Sequence, residues 1–418
     1  MEQQTKTGDV VKVGIERVAF GGEGVGRVGG MVVFVPFTAA GDHVEITVTE
    51  TKRRYLKGKI RRLSVPSPAR QQPLCRYFTA CGGCRYQHIR PEEQIRIKQS
   101  QVIELFERIG KMPSPPVREI IPSPRPFHYR IKADYHLDLQ PGRSPALGFM
   151  DVMNRRVIDI DRCEIVDEPI NRACQTFRRD LASGRITKPR DRQAVWSADT
   201  LGGIPEVITD FRVPRFVTRT VMGHRLRVPY RGFFQANGAL LPRLVAAVVE
   251  AAGPTGRETI ADVHCGSGLF SFFLSPAART VHGIEVNGEA VHCARWNHRE
   301  AGLANAIFHR GDAGEVLNTI FVAGKKRIDI LILDPPRTGC DPALLAALAE
   351  LRPARIVYIS CNPATQARDI RCLADQGFTL QYLQPFDMFP QTAHIEVVAL
   401  LNGSHPVSRR ENEGRDIF

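Results

Sequence analysis

From Gly8 to Leu63 the apolar residues fall in short runs, Val10–Ile15, Met31–Val35 and His43–Thr49, and among them stand Gly21, Gly22, Gly24, Gly26, Gly29 and Gly30. Runs rich in Val and Ile, broken by glycine turns, predict a small β-barrel over residues 1–64. From Pro91 to Gly110 the pattern changes to a helix: Ile95, Val102, Leu105, Phe106 and Ile109 recur at helical spacing, and Gly110 supplies a stop. Pro66, Pro68 and Pro73 precede this helix, and Pro113, Pro115, Pro116, Pro122, Pro124 and Pro126 follow it, so both stretches read as linkers. The stretch from Tyr129 to Arg231 is strand-like and rich in arginine, without a motif that assigns it a role. From Leu240 onward strands alternate with helices, the mark of a parallel sheet. The polar stretch after Leu401 is expected to be disordered. The expected architecture is multidomain: the barrel (1–64), a central α+β domain (65–92 and 125–232) and a doubly wound α/β domain (93–124 and 233–418).

Composition adds a partner. In 418 residues, 57 Lys and Arg stand against 44 Asp and Glu, a net charge of +13 that favours a polyanion. The run Lys52, Arg53, Arg54, Lys57, Lys59, Arg61 and Arg62, with Tyr55 inside it, suits a nucleic-acid backbone and a stacked base, or else is a solvated strand face. No stretch approaches the ~18 apolar residues of a membrane span, and Met1 to Val10 is polar where a signal peptide would be apolar, so the chain is expected in the cytoplasm. Ten cysteines in such a compartment are expected as thiols, metal ligands or catalytic groups rather than as disulfides.

The candidate chemistry sits at strand ends. The strand Thr259–Val263 runs into Cys265, Gly266, Ser267 and Gly268, then a helix starting near Leu269, and such a turn lets main-chain N–H groups approach a ligand. Glu285 ends the next strand about twenty residues past the glycines, where an acidic side chain meets ribose hydroxyls. A single glycine pair favours an adenosyl ligand over a dinucleotide, and Asp312 stands where it could reach the adenine. The strand Ile328–Leu333 ends in Asp334, Pro335, Pro336 and Arg337, and the strand Ile356–Ile359 in Ser360, Cys361, Asn362 and Pro363. A thiol in that place is either a nucleophile or, more often, a small buried residue. Cys75-x5-Cys81-x2-Cys84 reads as a metal site short of one ligand, open to zinc or to a [4Fe–4S] cluster.

Taken together, Phe234-Gln235-Ala236-Asn237, Asp334-Pro335-Pro336-Arg337, Ser360-Cys361-Asn362-Pro363 and His394-Ile395-Glu396 resemble the bacterial RNA uracil-5-methyltransferases, from about Thr7 to Asn402. The glycine-rich barrel resembles a TRAM domain, an OB-like fold, and Cys75, Cys81, Cys84 and Cys163 match the family's cluster cysteines. The resemblance implies a C-terminal class I (Rossmann-like) methyltransferase domain, S-adenosylmethionine as methyl donor and a [4Fe–4S] cluster in the central domain. It further implies Cys361 as nucleophile, Glu396 as base, and Gln235, Glu285, Asp312 and Asp334 as cofactor contacts. Two positions depart from the family pattern, His264 before the Cys-Gly pair and Leu269 after the second glycine, and both bear on how the adenosyl group is held.

The implied reaction explains these residue types. C5 of uracil is a weak nucleophile, so a thiolate must first add at C6, and a base must later remove the C5 hydrogen before the thiol leaves. Free cysteine is mostly protonated at neutral pH, so the site must help it ionise. The target base must leave its stack, which is easiest in a single-stranded loop or bulge. Barrel and cluster cysteines together point to the 23S ribosomal RNA branch, acting as a monomer, with the tRNA branch as alternative. A cytosine-5 enzyme would expect a cysteine directly after Asp334-Pro335-Pro336, and Cys340 alone keeps that reading open. A non-catalytic RNA-binding protein would have no need of Cys361, Asp334, Gln235 and Glu396 together.

Overall fold

The computed structural model describes residues 5–139, 145–186, 192–196, 206–208, 216–229 and 232–403, so the tail expected to be disordered lies almost wholly outside them. Strands β1 (Val10–Val18), β2 (Glu23–Val28), β3 (Met31–Pro36), β4 (His43–Thr51) and β5 (Tyr55–Val65) close into a barrel in the order β1-β2-β3-β5-β4. Alternate residues fill it, among them Val13, Ile15, Val33, Val35, Val44, Ile46 and Leu56. The glycines within Glu23–Val28 are strand rather than turn. A Cβ on Gly24 would fall 1.9 Å from Thr38 Oγ1, and one on Gly26 would fall 2.3 Å from the Gly14 carbonyl oxygen, so closure needs both. Lys57, Lys59, Arg61 and Arg62 of the basic run lie on β5 and the other three in the turn before it; Lys52 and Lys57 pair with Glu50 and Arg61 with Glu45.

Helix α1 (Pro91–Arg108) starts on a proline and buries Val102 and Phe106 in the core of the C-terminal sheet. The middle of the chain forms β6 (Lys132–Asp138), β7 (Ala146–Met150), β8 (Val157–Asp159), α2 (Glu168–Ala182), β9 (Arg192–Trp196) and β10 (Glu206–Ile208). These strands make an antiparallel sheet, β10-β9-β6-β7-β8, whose core takes Ile170, Ala173, Cys174 and Phe177 from α2. The strand-like expectation therefore missed a helix. Its apolar stripe is narrow and set among charges, and its start is marked only by Asp167, which caps Glu168 N, and by Pro169. The hairpin β11 (Phe216–Val221) and β12 (His224–Pro229) buries Val217, Val221, Leu226 and Val228 in the C-terminal core rather than against the middle sheet.

That C-terminal core surrounds α3 (Leu241–Ala252), β13 (Thr259–Val263), α4 (Leu269–Leu274), β14 (Thr280–Glu285), α5 (Gly288–Glu300), β15 (Ala306–Arg310) and α6 (Ala313–Val316). It continues through β16 (Ile330–Leu333), α7 (Pro342–Leu351), β17 (Arg355–Ser360), α8 (Pro363–Asp375), β18 (Phe378–Phe386) and β19 (Glu396–Gly403). The seven-stranded sheet runs β15-β14-β13-β16-β17-β19-β18. Strands β13 to β17 are parallel as expected, whereas β19 is antiparallel to both its neighbours. The order reverses between β13 and β16, the place where such sheets open a crevice at their carboxyl edge. The second proline-rich stretch is no free linker. Arg118 N and Ile121 N donate to the Leu383 and Pro385 carbonyls at 2.8 and 2.9 Å, so this stretch covers edge strand β18. Among the described residues no helix is long and apolar enough to cross a membrane.

Candidate active site

Parallel register sets the ends of β13, β14, β16 and β17 along one edge of the sheet. Because β19 runs the other way and pairs Val397 with Ser360, its first residue, Glu396, arrives at that same edge. The Cys361 loop is tied to the Arg337 loop: Asn362 Nδ2 and Thr365 Oγ1 donate to the Arg337 carbonyl at 2.9 and 3.2 Å. Asn362 also caps α8, accepting from Ala364 N at 3.2 Å, which leaves Cys361 one residue before a helix N-terminus.

Cys361, Asp334 and Glu396, predicted from three separate segments, thus meet, and Arg337, which the sequence reading gave no role, joins them. Burial pushes the Cys361 thiol up to about 11; the Glu396 carboxylate adds to the rise, Arg337 opposes it, and Asp334 adds the remainder. Arg337 also lies 3.5 Å from His394 Nε2. Glu396 is 2% exposed, and burial followed by the charge of Asp334 holds its carboxyl well above the usual range. Asp334 itself is pushed up to about 7, by burial first and then by Asp262 and Glu285. Two carboxyls that repel each other in a dry site do not both ionise readily.

The cradle lies next to them. Glu285 accepts from Gly266 N at 3.1 Å and from Asn287 N at 2.7 Å, which fixes the glycine turn against the end of β14. Gly266 has φ 55°, and a Cβ there would meet nothing within 4 Å, so the turn borders open space. His264 is also left-handed, at φ 64°, and shares the neighbourhood of Glu285 and Asp312. Asp312 is exposed and caps α6, its Oδ1 accepting from Glu315 N at 3.2 Å. Gln235 is buried between β12 and α3, and its Oε1 has no partner among the described residues. Leu269 differs from the others: its side chain joins the apolar core. Sequence reasoning overlooked Asp262, fully buried on β13, whose Oδ2 accepts from Ser271 N and Oγ while Oδ1 has no partner among the described residues. Its place one strand turn before the glycines was the available signal.

Cys340 is elsewhere. Its buried thiol lies 3.7 Å from Tyr358 Oη, its N–H donates to Asp369, and burial pushes its thiol up to about 12. A cytosine-type nucleophile is not supplied there.

Away from this edge, Cys75, Cys81, Cys84 and Cys163 all line one cavity of about 390 Å³. Gly83 N and Gln87 Nε2 donate to the sulfurs of Cys81 and Cys84, each at 3.4 Å. Burial is the main cause that raises all four thiols, with Cys84 reaching about 12, and neighbouring cysteines add to the rise for Cys81, Cys84 and Cys163. Among the described residues no three Cys, His, Asp or Glu side chains converge closely enough to hold one metal ion. The donor set fits a larger thiolate-bound group whose charge would offset their mutual repulsion.

Sheet order, glycine turn and carboxyl-lined edge define an α/β domain of methyltransferase type, joined to a barrel. Residues 220–404 match the tRNA (Uracil-5-)-methyltransferase family and residues 4–60 the TRAM domain. An uncharacterized RNA methyltransferase of Halalkalibacterium halodurans is 33% identical, over 94% of this chain and 97% of its own. One from Listeria monocytogenes is 31% identical, over 95% and 98%. The chain belongs to the RNA uracil-5-methyltransferase family and carries its TRAM domain. The tRNA (uracil-54, C5)-methyltransferase of Pyrococcus abyssi, solved with S-adenosyl-L-homocysteine, shares the fold at TM-score 0.70 and 24% identity, over 93% of this chain and all of that one. A tRNA enzyme thus shares the overall fold, so the barrel by itself does not separate a ribosomal branch from a tRNA branch.

Proposed function

We propose that this enzyme methylates C5 of a uridine in RNA through a covalent adduct, with Cys361 as nucleophile and Glu396 as base. The meeting of Cys361, Glu396, Asp334 and Arg337 at one sheet edge carries this reading. S-adenosylmethionine supplies the methyl group, and Gln235, Glu285, Asp312, Asp334 and the main chain from His264 to Leu269 hold it. The open space beside Gly266 and the unpartnered Gln235 oxygen fit such a ligand.

Cys361 must lose its proton to attack C6, and the Arg337 guanidinium together with the N-terminus of α8 favours the thiolate. The new C–S bond moves the C5=C6 electrons into an enolate, which makes C5 nucleophilic. After methylation Glu396 takes the C5 proton, the C5–H electron pair restores the C5=C6 bond, and the thiolate leaves. A carboxylate whose affinity for protons is raised by burial is the better base for that step.

Cys361→Ala should form no adduct. Glu396→Gln should stall as a protein–RNA adduct that already bears the methyl group, visible as a shifted, cofactor-labelled band on a denaturing gel. A Glu396→Gln variant that turns over normally would assign the proton to another base.

The four cysteines are proposed to hold a [4Fe–4S] cluster that braces the central domain. Protein purified without oxygen should then contain about four irons per chain, and Cys163→Ala should lose them; stoichiometric zinc would overturn the assignment. The proposed substrate is a loop or bulge of 23S ribosomal RNA, met by a monomer in the cytoplasm. The fold of the Pyrococcus enzyme favours tRNA as a second reading. Unmodified ribosomal RNA and tRNA offered together with labelled cofactor would decide between them.

A further inference from the structure

Glu396 follows a nine-residue turn, Asp387–Ile395, that joins β18 to β19 and is held from four sides. From α1, Lys98 Nζ donates to Asp387 Oδ1 at 2.5 Å and to the Phe389 carbonyl at 2.9 Å. Gln94, also on α1, donates to Gln391 Oε1 and accepts from Gln391 N, both at 3.0 Å. From the cysteine motif, the N–H groups of Arg85 and Tyr86, directly after Cys84, both donate to the Gln391 carbonyl at 2.9 Å. Tyr129 Oη donates to the Pro390 carbonyl at 3.0 Å. From the barrel, Gly22 abuts Ala393 so closely that a Cβ there would come within 3.3 Å of the alanine methyl.

These contacts are costly ones. Lys98 and Gln391 are fully buried, Gln94 is 1% exposed, and Gln391 has φ 67°, a left-handed conformation that a side chain disfavours. A buried ion pair gives little net stability over an apolar pair of the same shape, and a strained residue persists only where its surroundings fix it. Connecting two antiparallel strands requires neither. Fixing where the second strand begins does require them, because Glu396 is that strand's first residue and lies in register with Phe386.

We infer that Gln94 and Lys98, acting through Gln391 and Asp387, are positioning residues for Glu396, and that they govern removal of the C5 proton rather than methyl transfer. The inference rests on Glu396 as the base. Loosening the turn leaves Cys361, in the loop between β17 and α8, in place, so attack at C6 and methylation proceed, while the carboxylate no longer meets the C5 hydrogen.

The test compares Gln94→Ala, Gln391→Gly and Glu396→Gln in the full chain with RNA and labelled cofactor. Glycine adopts the left-handed φ without strain and keeps both main-chain contacts, so Gln391→Gly should fold even where Gln94→Ala does not. In single turnover both positioning variants should methylate RNA at near the wild-type rate. In multiple turnover they should slow at least tenfold and accumulate methylated adduct, with the KM for RNA unchanged. A general loss of structure would instead slow both phases together. If Glu396→Gln traps adduct while Gln94→Ala and Gln391→Gly release product at the wild-type rate, the positioning role is overturned. If Glu396→Gln traps none, the base itself was wrongly assigned.

Discussion

Burial and the Glu396 and Asp334 carboxylates push the Cys361 thiol toward its protonated form, and Arg337 is the neighbour that works against this. In the free enzyme, alkylation of Cys361 should be slow at neutral pH and rise about tenfold per pH unit toward pH 11. Arg337→Gln removes the cation that favours the thiolate, so alkylation at fixed pH should become slower; faster alkylation would contradict the assigned electrostatics. Asp262 gives a second test. Burial, opposed by Ser271, raises its carboxyl to about 6, so the folded chain holds the proton more tightly than the unfolded chain does. Its contribution is therefore whole below about pH 4 and is lost as pH rises through 6, up to roughly 3 kcal/mol. Asp262→Asn should raise the Tm at pH 8 and leave it unchanged at pH 4, and an equal shift at both would remove the argument. At this scale the sequence was most legible where a strand ends in a carboxylate or a thiol, as at Glu285, Asp334 and Cys361. It was least legible at Leu269 and Asp262, where the decisive fact is which side chain is buried and whether its polar atoms find partners.

Among the elements, the parallel strands and α1 followed from periodicity, while β2 and α2 did not. Glycine in β2 carries the same letter as glycine in a turn, but its reason is close approach across the barrel, a tertiary fact. Gly26→Ala should accordingly destabilise the protein by about 1–3 kcal/mol, since the Gly14 carbonyl it would strike is main chain and yields little. Thermal unfolding would show it, and an unchanged Tm would mean the barrel has slack. The proline-rich stretch before β6 was read as a linker because proline breaks helices and central strands; here it lies along the sheet's edge, where proline is tolerated.

For the molecule as a whole, the net charge of +13 is not evenly usable. In the barrel's basic run Lys52, Lys57 and Arg61 already face carboxylates, whereas exposed Arg53 and Arg54 at the β4–β5 turn have no such partner among the described residues. Replacing Arg53 and Arg54 with alanine should reduce the salt dependence of RNA binding by roughly 0.7 per lost contact, and Lys52→Ala should change it less. Equal effects at all three would make the ion pairs irrelevant to binding. The central claim, methylation at C5 of uridine through Cys361, is tested most directly with an RNA whose uridines carry tritium at C5. A methyl group can enter C5 only as that hydrogen leaves to solvent. One tritium-bearing position should therefore be emptied for each methyl group incorporated from the cofactor, and Cys361→Ala should give neither event. Methyl incorporation without tritium release would place the methyl group on another atom and contradict the account.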